Sequence, residues 1–131
     1  MPQSLTHIII HLIFSTKDRK PFIKNDIREE LHAYMVGIFR EYKCHPIIVS
    51  SALDHVHVLF ILARDQDTSK VVGRVKSGSS KWIKTKGPQY EFFQWQRGYS
   101  AFSVSQSNAK SVKDYIERQQ EHHRKVSFMD E

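Results

Sequence analysis

Two apolar runs, PIIVSSA at 46–52 and HVHVLFILA at 55–63, decide the fold because only the Leu53-Asp54 step separates them. Both runs are rich in β-branched residues, and so short a break between such runs is typical of a hairpin. In the second run histidine alternates with valine, so the side chains of His55 and His57 project from one face of the strand. The sequence therefore predicts a β-hairpin that carries a pair of imidazoles.

A strand and a helix are predicted before the hairpin. Residues 6–16 (THIIIHLIFST) have the β-branched and aromatic content of a buried strand. Asp26 and Glu29 have the spacing of a capping box, and apolar residues then recur at helical spacing. This helix is predicted to end near Cys44, because the next residue, His45, precedes a proline and is disfavoured in helical backbone.

A helix, a strand and a second helix are predicted after the hairpin. From Thr68 to Lys86, apolar residues and basic residues fall on opposite sides of a helix. Residues 99–105 (YSAFSVS) are the next predicted strand, and Ser107 or Asn108 can cap a last helix.

The resulting order, strand-helix-strand-strand-helix-strand-helix, predicts an α+β fold. The first six elements match a ferredoxin-like or RRM-like sandwich with a mainly antiparallel sheet and both crossover helices on one face. We expect one domain over 1–131, with a core at about 5–106 and the C-terminal helix at about 107–125. That last helix must pack on the open face of the sheet or on a partner chain.

Composition limits the functional classes. The 131 residues are 40% apolar and carry a net charge of +6, which suits a polyanionic partner such as nucleic acid. No apolar run approaches the roughly 20 residues that span a bilayer. The single cysteine, Cys44, excludes an internal disulfide framework. We therefore expect a cytoplasmic protein that does not associate with membranes.

His55 and His57 are the first candidates for chemistry. Two imidazoles side by side are a natural ligand pair for a divalent metal ion. Two surface histidines on a strand would give the same short pattern, so this alternative stays open.

The last helix is the second candidate. One of its faces, which we expect to be buried, carries Val112, Tyr115, Ile116, Gln119 and His123. A core tyrosine beside a peripheral glutamine would explain this face without any function. Together with the histidines, however, the amide of Gln119 could hold a hard divalent ion, and the hydroxyl of Tyr115 could attack a phosphate.

The motifs around these residues resemble those of the HUH endonucleases. Residues 54–58 (DHVHV) are similar to their His-hydrophobe-His strand. Residues 115–119 (YIERQ), followed by His122-His123, resemble the catalytic helix of the single-tyrosine transposases of prokaryotic insertion sequences. Residues 95–105 (WQRGYSAFSVS) and 11–19 (HLIFSTKDR) resemble the strand before that helix and the first strand with its loop. The resemblance extends over nearly the whole chain, and it includes the repeat-associated tyrosine transposase domains.

This resemblance implies a transposase that cuts and rejoins single-stranded DNA. It implies that His55, His57 and Gln119 hold Mg²⁺ or Mn²⁺ and that Tyr115 is the nucleophile. Attack on the scissile phosphate would leave a 5′-phosphotyrosine and a free 3′-hydroxyl, and a 3′-hydroxyl from another end would reverse the step without ATP. The resemblance also implies a homodimer that recognises subterminal hairpins, with an active site shared between the two chains.

Further DNA contacts are expected from basic and aromatic side chains. A basic stripe on the second helix can follow a DNA backbone, although such stripes are often merely solvated. Aromatic residues in a basic loop can stack on unpaired bases. The candidates are Arg19, Lys70, Arg74, Lys81, Trp95, Arg97 and Tyr99.

Two other functions stay open. A ferredoxin-like sheet can hold single-stranded RNA or DNA without cutting it, although histidines stand here where stacking rings would be expected. A metal-bound water could instead hydrolyse phosphoesters, with Tyr115 only structural. A covalent protein–DNA adduct would separate the transposase from both alternatives.

Overall fold

The computed structural model describes the backbone of residues 7–130 and the side chains of residues 7–119. Within this part, four strands and three helices follow the predicted order. They are β1 (Ile8–Ser15), α1 (Asn25–Glu41), β2 (His45–Ser51), β3 (His55–Leu62), α2 (Thr68–Lys84), β4 (Ser100–Val104) and α3 (Ala109–Asp130). None of the described helices has both the length and the apolar character needed to cross a bilayer.

The four strands form one antiparallel sheet in the order β2-β3-β1-β4. His57 of β3 lies opposite Ile13 of β1 on one side and opposite Ser50 of β2 on the other. Each of the helices α1 and α2 connects two strands that are not neighbours, which is the ferredoxin-like arrangement. The predicted α+β fold is confirmed.

Alternation along the central strands gives the sheet an inner face that packs on α1 and α2. Leu12, Phe14, Val58 and Phe60 occupy this face and are almost completely buried. The two helices cover it with Ile27, Leu31, Met35, Ile38, Phe39, Val71, Val72, Val75 and Ile83. Each fully buried large side chain stabilises the fold by roughly 1.5–3 kcal/mol, so this layer fixes the strands from behind.

The outer face of the sheet is divided into two halves. In the apolar half, Ile9 and Leu59 are buried together with Ile116 of α3. In the histidine half, the same two strands carry His11, His55 and His57. These residues alternate with inward-pointing ones and so project from the same outer face as Ile9 and Leu59. The first turns of α3 thus pack on the open face of their own sheet, which is one of the two expected locations.

Several predicted details at the ends of helices are wrong. The N-cap of α1 is Lys24, and Asp26 instead accepts a hydrogen bond from the Tyr90 hydroxyl at 3.1 Å, so no capping box forms. The helix ends at Glu41 rather than near Cys44, because Lys43 has a left-handed backbone φ of 61° that ends the helix. Helix α3 continues to Asp130, five residues beyond the predicted end.

Candidate active site

His55 and His57 lie at the start of β3 and point away from α1 and α2. The centroids of their rings are 5.1 Å apart, and the ring planes meet at 74°. Val56 between them is fully buried in the inner face, which fixes the orientation of the strand and therefore the direction of both imidazoles. The structure brings the two histidines together as the alternation predicted.

Asp54 orients the first histidine. Its Oδ1 lies 2.8 Å from Nδ1 of His55, and its Oδ2 accepts a hydrogen bond from Nε of Arg19 at 2.9 Å. Burial acts to raise the pKa of Asp54, but the hydrogen bonds and charges of Arg19 and His55 outweigh it and hold this pKa below its ordinary value. Asp54 is therefore an ionised acceptor at neutral pH, and Nδ1 of His55 carries the proton between them.

The loop that carries Arg19 has an unusual backbone. Asp18 and Arg19 have φ values of 56° and 57°, in the left-handed region that residues other than glycine rarely adopt. The backbone N–H of Asp18 donates to Oε1 of Gln96 at 3.2 Å, and that of Lys17 donates to the carbonyl of Gln94 at 3.0 Å. Such conformations persist where surrounding contacts enforce them, and they cluster at functional sites.

A third histidine, His11 of β1, joins the pair. Its Nε2 lies 3.1 Å from Nδ1 of His57. Burial lowers the pKa of His11, so this imidazole is neutral at pH 7. No role was predicted for His11 from the sequence. The available signal was the alternation of β1 and β3, which gives both histidines the same face once the two strands are known to be neighbours.

His55, His57 and Arg19 line a cleft of about 480 Å³, here called the histidine cleft. The segment 96–100, which includes Arg97 and Tyr99, also lines this cleft. The ammonium group of Lys76 donates to the carbonyls of residues 96 and 98 at 2.7 and 2.9 Å, which holds that segment in place. The cleft thus brings together three of the predicted DNA contacts, and its two guanidinium groups suit a phosphate.

Tyr115 and Gln119 lie about one turn apart on α3. Ile116 is fully buried and Gln119 is partly buried, but Tyr115 is 46% exposed. The prediction that Tyr115 belongs to the buried face is therefore wrong. Ile116 points into the sheet, and the next position on a helix is turned by about 100°. Neither Tyr115 nor Gln119 is among the described residues that line the histidine cleft. The side chains of His122 and His123 lie outside the described residues.

The other predicted DNA contacts lie elsewhere. Lys70, Arg74 and Lys81 are exposed on α2, which packs on the inner face of the sheet, opposite the histidines. The ring of Trp95 packs edge-on against two phenylalanines, and its indole N–H donates to Oγ of Ser79 at 3.0 Å. These contacts favour a packing role for Trp95 over base stacking.

The donor set of the cleft fits a divalent metal ion in part. His55 and His57 are close enough to act as two ligands, and a carboxylate behind the first imidazole is typical of metal-binding histidines. Within the described residues, no group of three His, Cys, Asp or Glu side chains could hold an ion.

Comparison with known proteins connects this geometry to a family. Residues 4–119 match the sequence model of the family described as "Transposase IS200 like". The matched range spans the positions of the histidine pair, the Arg19 loop, Tyr115 and Gln119. None of the curated protein sequences matches the chain significantly.

Two solved structures have a similar fold. A candidate transposase from Deinococcus radiodurans R1 is 20% identical with a TM-score of 0.71, over 92% of this chain and 96% of the other. A REP-associated tyrosine transposase bound to a REP hairpin is 13% identical with a TM-score of 0.60, over 88% of this chain and 68% of the other. At these identities the likeness concerns the fold. The family model covers most of the chain, and the protein therefore belongs to the IS200-like transposase family.

Proposed function

We propose that this transposase cuts and rejoins single-stranded DNA through a covalent bond to Tyr115. The observation that carries the proposal is the histidine cleft, which combines two oriented imidazoles with the guanidinium groups of Arg19 and Arg97. Guanidinium groups bind phosphate oxygens in a fixed geometry, and they can hold a DNA backbone against the imidazole pair.

The proposed step is a transfer of a DNA phosphoryl group to the phenol oxygen of Tyr115. That oxygen bonds to the scissile phosphorus, and the bond from phosphorus to the 3′ oxygen breaks. The phenol proton passes to solvent, and the leaving 3′ oxygen takes up a proton. The products are a 5′-phosphotyrosine and a 3′-hydroxyl. Because one phosphodiester replaces another, a 3′-hydroxyl from a second DNA end can reverse the step without ATP.

We assign His55, His57 and Gln119 as the residues that would hold Mg²⁺ or Mn²⁺. In His55 the ligating atom would be Nε2, because Nδ1 bonds Asp54. A divalent ion bound here would neutralise charge on the phosphate and support the leaving oxygen. Arg19 contributes by holding Asp54, which in turn keeps the ring of His55 in one orientation.

DNA contacts are proposed first for the residues of the cleft. Arg19 and Arg97 would bind phosphates, and the ring of Tyr99, which is 40% exposed, would stack on an unpaired base. Lys70, Arg74 and Lys81 could reach DNA only where it wraps onto α2. Base stacking by Trp95 would require its ring to leave the contacts that hold it.

A single strand marked by hairpins is the proposed substrate. One relative of similar fold is a REP-associated tyrosine transposase bound to a REP hairpin. In duplex DNA the scissile phosphate would have to be exposed by unstacking, at a cost of a few kcal/mol. A cytoplasmic location is part of the same proposal.

The proposed active form is a homodimer with shared sites. Tyr115 is half exposed and does not line the histidine cleft of its own chain. We propose that α3 of one protomer supplies Tyr115 and Gln119 to the histidines of its partner. One complete site would then contain residues of both chains.

A denaturing gel tests the proposed function. The protein is mixed with labelled single strands taken from the DNA that flanks its own gene, with Mg²⁺ or with excess chelator. We expect a labelled band at the size of the protein, which depends on the metal and is nearly absent with the same sequence as a duplex. Bound but uncut DNA would indicate a binding module, and cleavage without a covalent band would indicate a phosphoesterase that uses water.

A further inference from the structure

The geometry points to His11 as a positioning residue for His57. We infer that Nδ1–H of His57 donates to Nε2 of His11, and that this bond fixes the tautomer of His57 in which Nε2 carries a lone pair. The direction of this bond and its consequence for metal binding rest on the function proposed above, whereas the contact between the two rings does not. His11 lies in no ligand set proposed so far.

The two rings meet edge to edge, as a hydrogen bond requires. The nitrogen–nitrogen distance is 3.1 Å, the centroids are 5.3 Å apart, and the planes differ by 29°. That centroid separation equals the nitrogen–nitrogen distance plus about one ring width, so both nitrogens lie close to the line between the centroids. Phe102 of β4 stands on the other side of His11, with its centroid 6.4 Å away. His11 is therefore held between a neighbouring strand and His57.

A bond between two neutral imidazoles contains one proton, and either ring can carry it. If His11 were the donor, the proton of His57 would sit on Nε2, and that atom could not bind a metal. If His57 is the donor, its Nε2 has a lone pair. His55 has no such choice, because its Nδ1 faces a carboxylate oxygen of Asp54, and a carboxylate can only accept. Only with His11 as acceptor do both histidines of β3 share one tautomer and present Nε2 as a ligand.

Nitrogen NMR of the metal-free protein reads this tautomer directly. Full-length protein labelled with ¹⁵N in its histidines is compared with the His57→Ala variant to assign the signals of His57. We expect a protonated Nδ1 and an unprotonated Nε2 in His57. A protonated Nε2 in His57 would overturn the inference, whether or not the protein cuts DNA.

Metal binding provides the second measurement, with Mn²⁺ as the probe in a spin-resonance titration. His11→Phe keeps a ring of similar size and removes the acceptor, and we expect it to weaken Mn²⁺ binding by about 10- to 100-fold. His11→Gln restores an acceptor and should recover most of that loss, whereas the control His45→Gln, on an exposed histidine of β2, should change nothing.

A merely structural role predicts a different pattern. His11→Phe and His11→Gln would then lower thermal stability while leaving Mn²⁺ affinity at the wild-type value, and that result would overturn the inference. If the wild type itself binds no Mn²⁺, the metal site in the proposed function is wrong. The NMR measurement still decides which of His11 and His57 carries the shared proton.

Discussion

The two halves of the outer sheet face differ in chemistry although the same strands build both. In the apolar half, Ile9, Leu59 and Ile116 exclude water completely or nearly so. Further along the same strands, the side chains of His11, His55 and His57 remain partly exposed near the histidine cleft. One alternating pattern thus supplies packing at one end and polar groups at the other. We infer that stability and catalysis can be removed separately by changes at opposite ends of one strand.

The largest expected effect is the loss and recovery of cleavage in mixed dimers. Tyr115→Phe and His57→Ala should each abolish the covalent adduct, because one lacks the nucleophile and the other a proposed ligand. In a dimer made of one variant of each kind, a shared arrangement creates one site with both residues intact. Co-expression with two different tags and purification of the mixed dimer should therefore restore adduct formation.

Gln119 gives an internal control for that experiment. It lies on the same helix as Tyr115, so Gln119→Ala should be rescued by His57→Ala and not by Tyr115→Phe. A mixed dimer of Tyr115→Phe and His57→Ala that stays inactive would mean that each chain uses its own tyrosine.

A change in the apolar half should reduce stability and leave the chemistry of the cleft intact. Ile116→Ala removes a fully buried side chain and should lower the free energy of unfolding by about 2–5 kcal/mol. Phe102→Ala is the matched control, because this residue of the same face is 56% exposed and should cost well under 1 kcal/mol. Urea titrations measure both. Equal costs for the two variants would contradict the division of this face into two halves.

A histidine on the inner side of the sheet should make the stability of the fold depend on pH. Burial, aided by the charge of Arg28, lowers the pKa of His32 from 6.5 to about 4, and its ring lies 2.7 Å from Oγ of Ser51. Because the folded pKa is depressed, the stabilisation is present above pH 6.5 and is lost as the pH falls towards 4. The loss between pH 7 and 4 should be on the order of 3 kcal/mol.

Denaturant titrations between pH 7 and 4 check this prediction against His32→Gln. The variant should show a shallower decline in stability over that range than the wild type does. If the two curves fall in parallel, His32 is not the group whose protonation destabilises the fold.

The smallest expected effect is on DNA affinity, and it should differ between variants on the two sides of the sheet. Arg97 lines the histidine cleft, whereas Lys81 lies on α2 behind the inner face. Arg97→Gln should weaken binding of a single strand several-fold and reduce the slope of affinity against salt, and Lys81→Gln should change affinity less than twofold. Fluorescence anisotropy titrations at a series of salt concentrations measure the affinity and its slope for both variants. A larger loss for Lys81→Gln would place the DNA on the helical side.

The parts of the fold that depend on local periodicity could be predicted from the sequence. The element order and the shared direction of His55 and His57 follow from patterns within single segments. The contact between His11 and His57 could not be predicted, because it depends on how two distant strands pair and in which register. The absent capping box has a similar cause, since Tyr90 is 64 residues from the Asp26 carboxylate that it bonds.

The position of Tyr115 shows the same limit. Helical spacing placed Tyr115 on the same face as Ile116. The width of a buried face, however, depends on how the helix crosses the sheet, and the sequence of one helix does not determine that crossing. The result bears on function, because a nucleophile at the edge of the buried face is accessible to DNA and to a partner chain. The exposure of Tyr115 is therefore a reason for the shared-site proposal.

The most direct test of the central claim is to identify the residue that holds the DNA. The covalent adduct formed on a labelled single strand with Mg²⁺ is digested with trypsin and nuclease, and the modified peptide is sequenced by mass spectrometry. We expect a nucleotide phosphate on Tyr115 and on no other residue, and no adduct from Tyr115→Phe. A phosphate on another residue, or an undiminished adduct in Tyr115→Phe, would contradict it.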